Sequence, residues 1–210
     1  MTSHQPRTPA SRAVRRTGRI AVPTLALLVA AVSARYFTLD DRTFLPEQRT
    51  VYLAHLAPLL LHIGGGVTAL AVGLLQFLPG LRARRPAVHR RTGRVYAVAA
   101  AATGVGGLLI APHGLYPPVA PLGFTVLAVL TLGTTALGVA EARRGRTARH
   151  RRWMLRSYAL MFTAVTFRLW LVLFGALGLP AGPVYASGAW ASWLINLAAA
   201  ERLLRSRRPS

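Results

Sequence analysis

Histidine and arginine are the side chains in the apolar stretches that suit ligand binding. His55 and His62 lie seven residues apart, so on a helix they share a face, about 10 Å apart along its axis. His113 lies in a turn rich in proline and glycine. A polar group at the membrane depth predicted for His62 is costly and usually functional. We therefore predict a ligand-binding role for His62, and consider His55 and His113 either ligands or plain interfacial groups.

Arg168 is the most unusual cation, since it follows Arg156 by twelve positions, about 18 Å along a helix. A buried guanidinium needs a partner, and the apolar stretches hold no carboxylate in their middle. One interpretation pairs Arg168 with backbone carbonyls, Asn196, water or Glu47. The other gives it an anionic ligand group, such as a haem propionate, a lipid or quinone-type head group, or a carboxylate substrate. Arg156 is a weaker ligand-binding candidate, with an interfacial position as the alternative.

Two further histidines, His89 and His150, lie among arginines at predicted helix starts. They either cap and solvate those helix ends or form a second level of ligands. The histidines then form two levels. One level pairs His113 with His55 or His62, and the other pairs His89 with His150. This matches the bis-histidine arrangement of transmembrane cytochromes with two b haems.

Composition excludes several kinds of chemistry. The chain has no cysteine, so disulfides, cysteine-ligated iron–sulfur clusters and cysteine catalysis are ruled out. No nucleotide-binding or hydrolase motif is present, and no metal site other than haem iron is expected. The net charge is +21, but the arginines gather at the ends of apolar runs, where they set topology and meet anionic lipid. We therefore predict contact with anionic lipids and no nucleic acid.

The elements that position these residues are apolar helices. Many of the runs exceed the roughly 20 residues that span a bilayer, and the sequence predicts an all-α integral membrane bundle of six helices. Their predicted ranges are 20–39, 51–78, 94–111, 119–140, 153–179 and 184–204. The turns at 79–93 and 141–152 hold many arginines and those at 112–118 and 180–183 hold none, so both termini are predicted to be cytoplasmic.

The ends of the chain are predicted to be polar tails. Residues 1–19 read as a disordered basic cytoplasmic tail and residues 205–210 as a second tail. The stretch up to residue 34 also resembles a cleaved signal peptide; its long leader and long apolar run favour a retained helix.

Several motifs together resemble a known family. They are His62-x-Gly64, Gln76-Phe77, the block from His89 to Tyr96, the block from His150 to Tyr158, and Arg168. The combination resembles the bacterial predicted-membrane-protein family called domain of unknown function 2306, over about residues 50–204. The resemblance implies an integral protein of the bacterial cytoplasmic membrane without an established activity. It also implies site roles for His62, His89, His150, Arg156 and Arg168.

Three functions follow as hypotheses, and enzymatic activity stays open among them. The first is a haem-b- or quinone-linked redox or haem-handling protein, with Arg168 on a propionate. The second is a small-anion or lipid transporter or binder with a His62/Arg168 site lined by Tyr116, Trp190 and Asn196. The third is a non-catalytic membrane assembly factor.

Overall fold

The protein is an all-α helical bundle, described here by a computed structural model over residues 9–44 and 46–206. No strand occurs in those ranges. The α-helices are α1 (Pro9–Ala34), α2 (Arg49–Ala54), α3 (Leu56–Gln76), α4 (Pro79–Arg84), α5 (Pro86–Ile110), α6 (Val119–Arg143), α7 (Thr147–Met161), α8 (Thr163–Ala176) and α9 (Ala181–Arg205).

Five stretches of the described chain are long and apolar enough to cross a membrane, which makes this a membrane helical bundle. They are Ile20–Thr38, Leu56–Gln76, Pro86–His113, Val119–Arg143 and Thr147–Ala176. The sixth predicted helix forms as α9, but it is not among these five stretches. Serine, glycine and asparagine dilute its apolar character.

Two helices predicted to be continuous are interrupted. The predicted helix 51–78 is divided at His55 into α2 and α3. Pro58 explains this break, because its ring clashes with the carbonyl four residues back, that of Ala54. The predicted helix 153–179 is divided at Phe162 into α7 and α8, where the Val165 N–H donates to the Phe162 carbonyl in a tighter turn. The sequence around this second break, residues 158–166, contains no proline or glycine.

Other helices begin earlier than predicted. α5 begins at Pro86 rather than residue 94, because proline suits the first helical position and arginine is a good helix former. α1 begins at Pro9, within the stretch predicted to be a disordered tail. Residues 1–8 of that tail, and residues 207–210 of the other, lie outside the described residues.

The tightest contact in the bundle is between α3 and α5, and glycine makes it possible. A Cβ on Gly65 would lie 2.5 Å from the Ala99 carbonyl oxygen, and one on Gly106 would lie 2.5 Å from the His62 backbone nitrogen. The two backbones therefore touch, as small residues allow in membrane helices. This contact places the His62 side chain against α5.

The core lies between α1, α3, α5, α7 and α8. Tyr96, one of its two tyrosines, is 1% exposed, and its hydroxyl lies 2.7 Å from Ser157 Oγ. Ser157 Oγ also lies 2.7 Å from Thr135 Oγ1, so a chain of buried hydroxyl groups links α5, α6 and α7. The Tyr158 hydroxyl donates to the Leu70 carbonyl of α3. Hydrogen-bonded polar groups thus hold these helices in a fixed register on one side of the cavity described next.

Candidate functional site

A cavity of about 420 Å³ lies between the helices of the bundle and is partly open, with His62 and His113 exposed on its wall. We call the end of the bundle with the turns at 79–93 and 141–152 the basic end, and the other the opposite end. The cavity extends from Tyr36 and His113 at the opposite end to Leu70 and Met161 in the interior. Its volume is typical of pockets that take a small organic ligand. Most of its wall is apolar, and it also carries polar side chains: Ser33, Tyr36, Gln48, Tyr52, His62, Thr103, His113, Thr131, Thr163, Arg168 and Tyr185.

His62 lines this cavity with its imidazole held in one orientation. Its Nδ1 donates to the Thr103 carbonyl of α5 at 2.9 Å, and the Thr103 hydroxyl donates in return to the His62 carbonyl. Gly107 makes room, since a Cβ there would lie 3.2 Å from His62 Nδ1. A neutral imidazole that donates through Nδ1 has an acceptor lone pair on Nε2. His62 can therefore accept a proton or hydrogen bond from a ligand.

Arg168 lines the same cavity from α8. Its guanidinium donates to the Ala164 carbonyl at 2.8 Å and to Ser33 Oγ of α1 at 3.0 Å. Both partners are neutral, and no carboxylate of the described residues forms an ion pair with Arg168. A guanidinium has five N–H donors, so donors remain after these two bonds. Arg168 thus gives the cavity a positive charge that no carboxylate in the described part of the chain compensates.

Thr163 adds a free hydroxyl where α8 begins. Its side chain is 3% exposed, lines the cavity, and its Oγ1 has no hydrogen-bond partner in the described structure. A buried hydroxyl without a partner is costly, and such groups are rare in native proteins. The break between α7 and α8 therefore places an unused hydrogen-bonding group in the same cavity as His62 and Arg168.

Aromatic side chains form two walls at the opposite end. Tyr36 and Tyr52 pack around Phe44, with ring centroids 5.5 Å and 5.9 Å from it. On the other side Tyr185 packs on Phe167 at 5.2 Å. Tyr52 precedes the apolar stretch of α3, and burial raises the pKa of its phenol, which therefore stays a neutral donor. Among the described residues, the cavity thus combines neutral hydroxyl groups and the Arg168 cation with apolar walls, and no carboxylate of these residues lines it.

The structure brings His55 and His113 together. Their rings stack with centroids 4.0 Å apart and an interplanar angle of 20°. His55 occupies the break between α2 and α3, and His113 belongs to the 3-10 helix after α5. His113 also lines the cavity, whereas His55 does not. Two imidazoles in direct contact leave no space for a porphyrin plane between them.

The other predicted site residues lie at the basic end, away from the cavity. His150 Nδ1 donates to the Gly138 carbonyl of α6 at 2.8 Å. The Gln76 amide lies 2.9 Å from His89 Nδ1 and 2.7 Å from Thr92 Oγ1. In the described part of the chain, His89 and His150 show no ring stacking like that of His55 and His113.

Arg156 is bound by a partner that the sequence interpretation did not identify. It donates through Nε and Nη2 to both carboxylate oxygens of Glu201 in α9, at 2.5 Å and 3.1 Å. Its guanidinium also lies 4.8 Å from the centre of the Trp153 ring. Arg156 thus joins α7 to α9 and does not line the cavity.

The proposed lining by Tyr116, Trp190 and Asn196 is wrong for this cavity, because none of the three is among its lining residues. Tyr116 packs on Tyr185, the Trp190 indole donates to the Val119 carbonyl, and Asn196 accepts from Thr166. Sequence reasoning also missed Ser33, Thr103 and Thr163. Small hydroxyl residues in apolar stretches give little signal, because most of them bond to their own helix.

Comparison with known proteins identifies a family for most of the chain. The family described as "Predicted membrane protein (DUF2306)" matches residues 59–204. This range includes His62, Thr163 and Arg168 and stops short of the first helix. No curated protein and no solved structure matches the chain.

Proposed function

The chain belongs to the DUF2306 family of predicted membrane proteins, and on that premise we propose that it binds a membrane-soluble molecule with an anionic or carbonyl head group. The head group lies between Arg168 and His62, and the apolar remainder lies along the cavity wall. The single observation that carries this proposal is the Arg168 guanidinium, which faces a cavity where no carboxylate of the described residues compensates its charge.

The donor and acceptor pattern supports this ligand class. Arg168 and Thr163 offer hydrogen-bond donors, and charge-assisted bonds to an anion are about twice as strong as neutral ones. His62 Nε2 accepts, so a ligand that also carries a hydroxyl or protonated carboxyl group satisfies both sides. Fatty-acid carboxylates and quinone or quinol head groups meet these requirements. The same binding site is compatible with transport of such a molecule and with its participation in redox chemistry.

A haem-linked role is the second candidate, and one feature of His62 favours it. Histidines that ligate metals usually donate their other ring nitrogen to a carbonyl or carboxylate, as His62 does to Thr103. Arg168 lines the same cavity and suits a propionate. His113 is the second histidine of the described residues on the cavity wall, and its ring is stacked on His55.

Ligand binding to purified protein in mild detergent tests the proposal. Palmitate serves as the carboxylate probe and a short-chain benzoquinone as the carbonyl probe, with the melting temperature followed against concentration. At least one probe is expected to stabilise the protein, and Arg168→Leu is expected to weaken that binding about tenfold or more, since charge-assisted bonds contribute about 1.5–3 kcal/mol.

Arg35→Leu is the matched control, because Arg35 is exposed and outside the cavity. The proposal is wrong if neither probe stabilises the wild-type protein, or if Arg35→Leu weakens binding as much as Arg168→Leu. A reduced-minus-oxidised absorption spectrum of protein from haem-supplemented cells tests the second candidate. Sharp b-type bands that disappear in His62→Ala support haem, whereas a colourless folded protein contradicts it.

The proposal includes a membrane orientation. The basic end faces the cytoplasm of a bacterial cell, as the positive-inside rule requires, and α9 crosses the membrane as a sixth span. Both tails are then cytoplasmic, and the cavity lies toward the outer side. The Arg156–Glu201 ion pair supports an inserted α9, because it ties the basic end of α9 to that of α7.

A further inference from the structure

A second concave surface lies on the outside of the bundle, between α5 and α6. This groove has a volume of about 510 Å³. Its lining is mainly alanine and other apolar residues, and it ends in two arginines: Ala97, Ala101, Leu132, Thr135, Ala136, Val139, Ala140, Arg143 and Arg144. Ala101 and Ala136 are exposed, so no other described helix covers this face.

The one hydroxyl group that the described residues place on the floor of the groove, that of Thr135, already has hydrogen-bond partners inside the bundle. Thr135 is 4% exposed, and its hydroxyl is bound to the Thr131 carbonyl and to Ser157 Oγ inside the bundle. The groove closes at its inner end where Leu132 packs against Gly104, since a Cβ on Gly104 would lie 2.6 Å from Leu132 Cγ. This part of the groove therefore suits an apolar chain.

The length of the groove matches one leaflet of a bilayer. Leu132 and Arg143 are eleven residues apart on α6, which corresponds to about 16 Å along the axis. The hydrocarbon core of a bilayer is about 30 Å thick, so the groove covers about half of it. An acyl chain that starts at the arginines reaches the closed end near mid-membrane.

The open end of the groove carries charge that suits a phosphate. Arg143 has no hydrogen-bond or ion-pair partner within the described part of the chain. Arg144 makes one contact of 3.3 Å with Glu141, and its side chain stays 61% exposed. We propose that this groove is a binding site for one anionic phospholipid of the leaflet at the basic end. One acyl chain lies between α5 and α6 and the phosphate lies on Arg143 and Arg144.

Native mass spectrometry of the full chain in mild detergent tests this site, with dioleoyl-phosphatidylglycerol and dioleoyl-phosphatidylcholine as probes. The first phosphatidylglycerol is expected to bind about tenfold more tightly than phosphatidylcholine. The double variant R143Q/R144Q is expected to remove that preference. Its matched control is R82Q/R84Q, which removes the same charge from exposed arginines of the other basic turn and is expected to stay within twofold of wild type.

A second variant tests the contact with the acyl chain of the lipid separately from the contact with its phosphate. Ala136→Leu fills the groove at an exposed position and leaves both arginines in place, so it is expected to lower phosphatidylglycerol affinity about tenfold without a change in melting temperature. Equal losses in R143Q/R144Q and R82Q/R84Q would mean general attraction to a basic face and overturn the site. Unchanged affinity in Ala136→Leu, or equal binding of the two lipids by wild type, would also overturn it.

Discussion

At the scale of single residues, Thr163 separates ligand binding from fold stability. Its hydroxyl lines the cavity without a partner, so replacement by valine of similar shape removes no bond in the unliganded protein. Because a buried hydroxyl without a partner is costly, we expect Thr163→Val to leave the free energy of unfolding of the unliganded protein unchanged or to raise it by up to about 2 kcal/mol. If the hydroxyl bonds the ligand, affinity for the stabilising probe falls about threefold to tenfold, the value of one neutral hydrogen bond.

The measurement is melting temperature with and without the probe. Thr135→Val is the contrasting variant, because that hydroxyl is bonded to Thr131 and Ser157 in the core. It should destabilise the unliganded protein by about 1 kcal/mol. A Thr163→Val protein that is destabilised as much as Thr135→Val would show that the hydroxyl has a structural role instead.

At the scale of helices, the contact between α3 and α5 positions His62. A Cβ on Gly106 would lie within 3 Å of backbone atoms of His62 and Pro58, which cannot move independently of their helix. We expect Gly106→Ala to separate the helices, lower stability by about 1–3 kcal/mol and weaken binding of the cavity probe. Thermal unfolding and probe titration measure both effects.

Gly133→Ala is the control for that variant. Gly133 is an exposed helical position, and a Cβ added there would have no neighbouring atom within 4 Å. Alanine at this position should leave stability unchanged or raise it by up to about 1 kcal/mol, because glycine is a poor helix former. Equal destabilisation by the two substitutions would contradict the close helix contact.

The ion pair between Arg156 and Glu201 joins α7 to α9, and a double-mutant cycle measures its strength. Both side chains are partly exposed, at 18% and 35%, so we expect a coupling energy of about 1–2 kcal/mol between R156Q and E201Q, below that of a fully buried pair. Exchange of the charges in R156E/E201R should recover part of the stability lost in each reversal alone. Additive effects of R156Q and E201Q would mean that this ion pair contributes nothing measurable to holding α9 in place.

At the scale of the whole molecule, the absence of cysteine makes the orientation directly measurable. We propose four single-cysteine variants at exposed positions: Ala83→Cys, Thr147→Cys, Leu179→Cys and Ser206→Cys. The first two lie at the basic end of the bundle, the third follows α8, and the fourth follows α9. With both termini cytoplasmic, a membrane-impermeant maleimide labels only Leu179→Cys in intact cells. Permeabilised cells allow labelling of the other three. Labelling of Ser206→Cys in intact cells would mean that α9 does not cross, leaving five spans.

Much of the fold was predictable from the sequence because membrane insertion depends on local properties. A run of about 20 apolar residues identifies a spanning helix, and the family resemblance and the all-α membrane fold were both confirmed. The breaks were less predictable. Pro58 explains the one at His55 only once its clash with Ala54 is considered, and the break before Thr163 has no proline or glycine to mark it.

The sequence alone determined the membrane class of this protein, the basic turns and the unusual position of Arg168, since each is visible within one segment of chain. Only the tertiary structure decided which polar groups meet. It placed Arg168 against Ser33, 135 positions earlier, and His62 against Thr103, 41 positions later. It paired Arg156 with Glu201 in an ion pair and stacked the His55 ring on that of His113. Such pairings depend on how helices pack, and helix packing follows from the close fit of many side chains rather than from hydropathy.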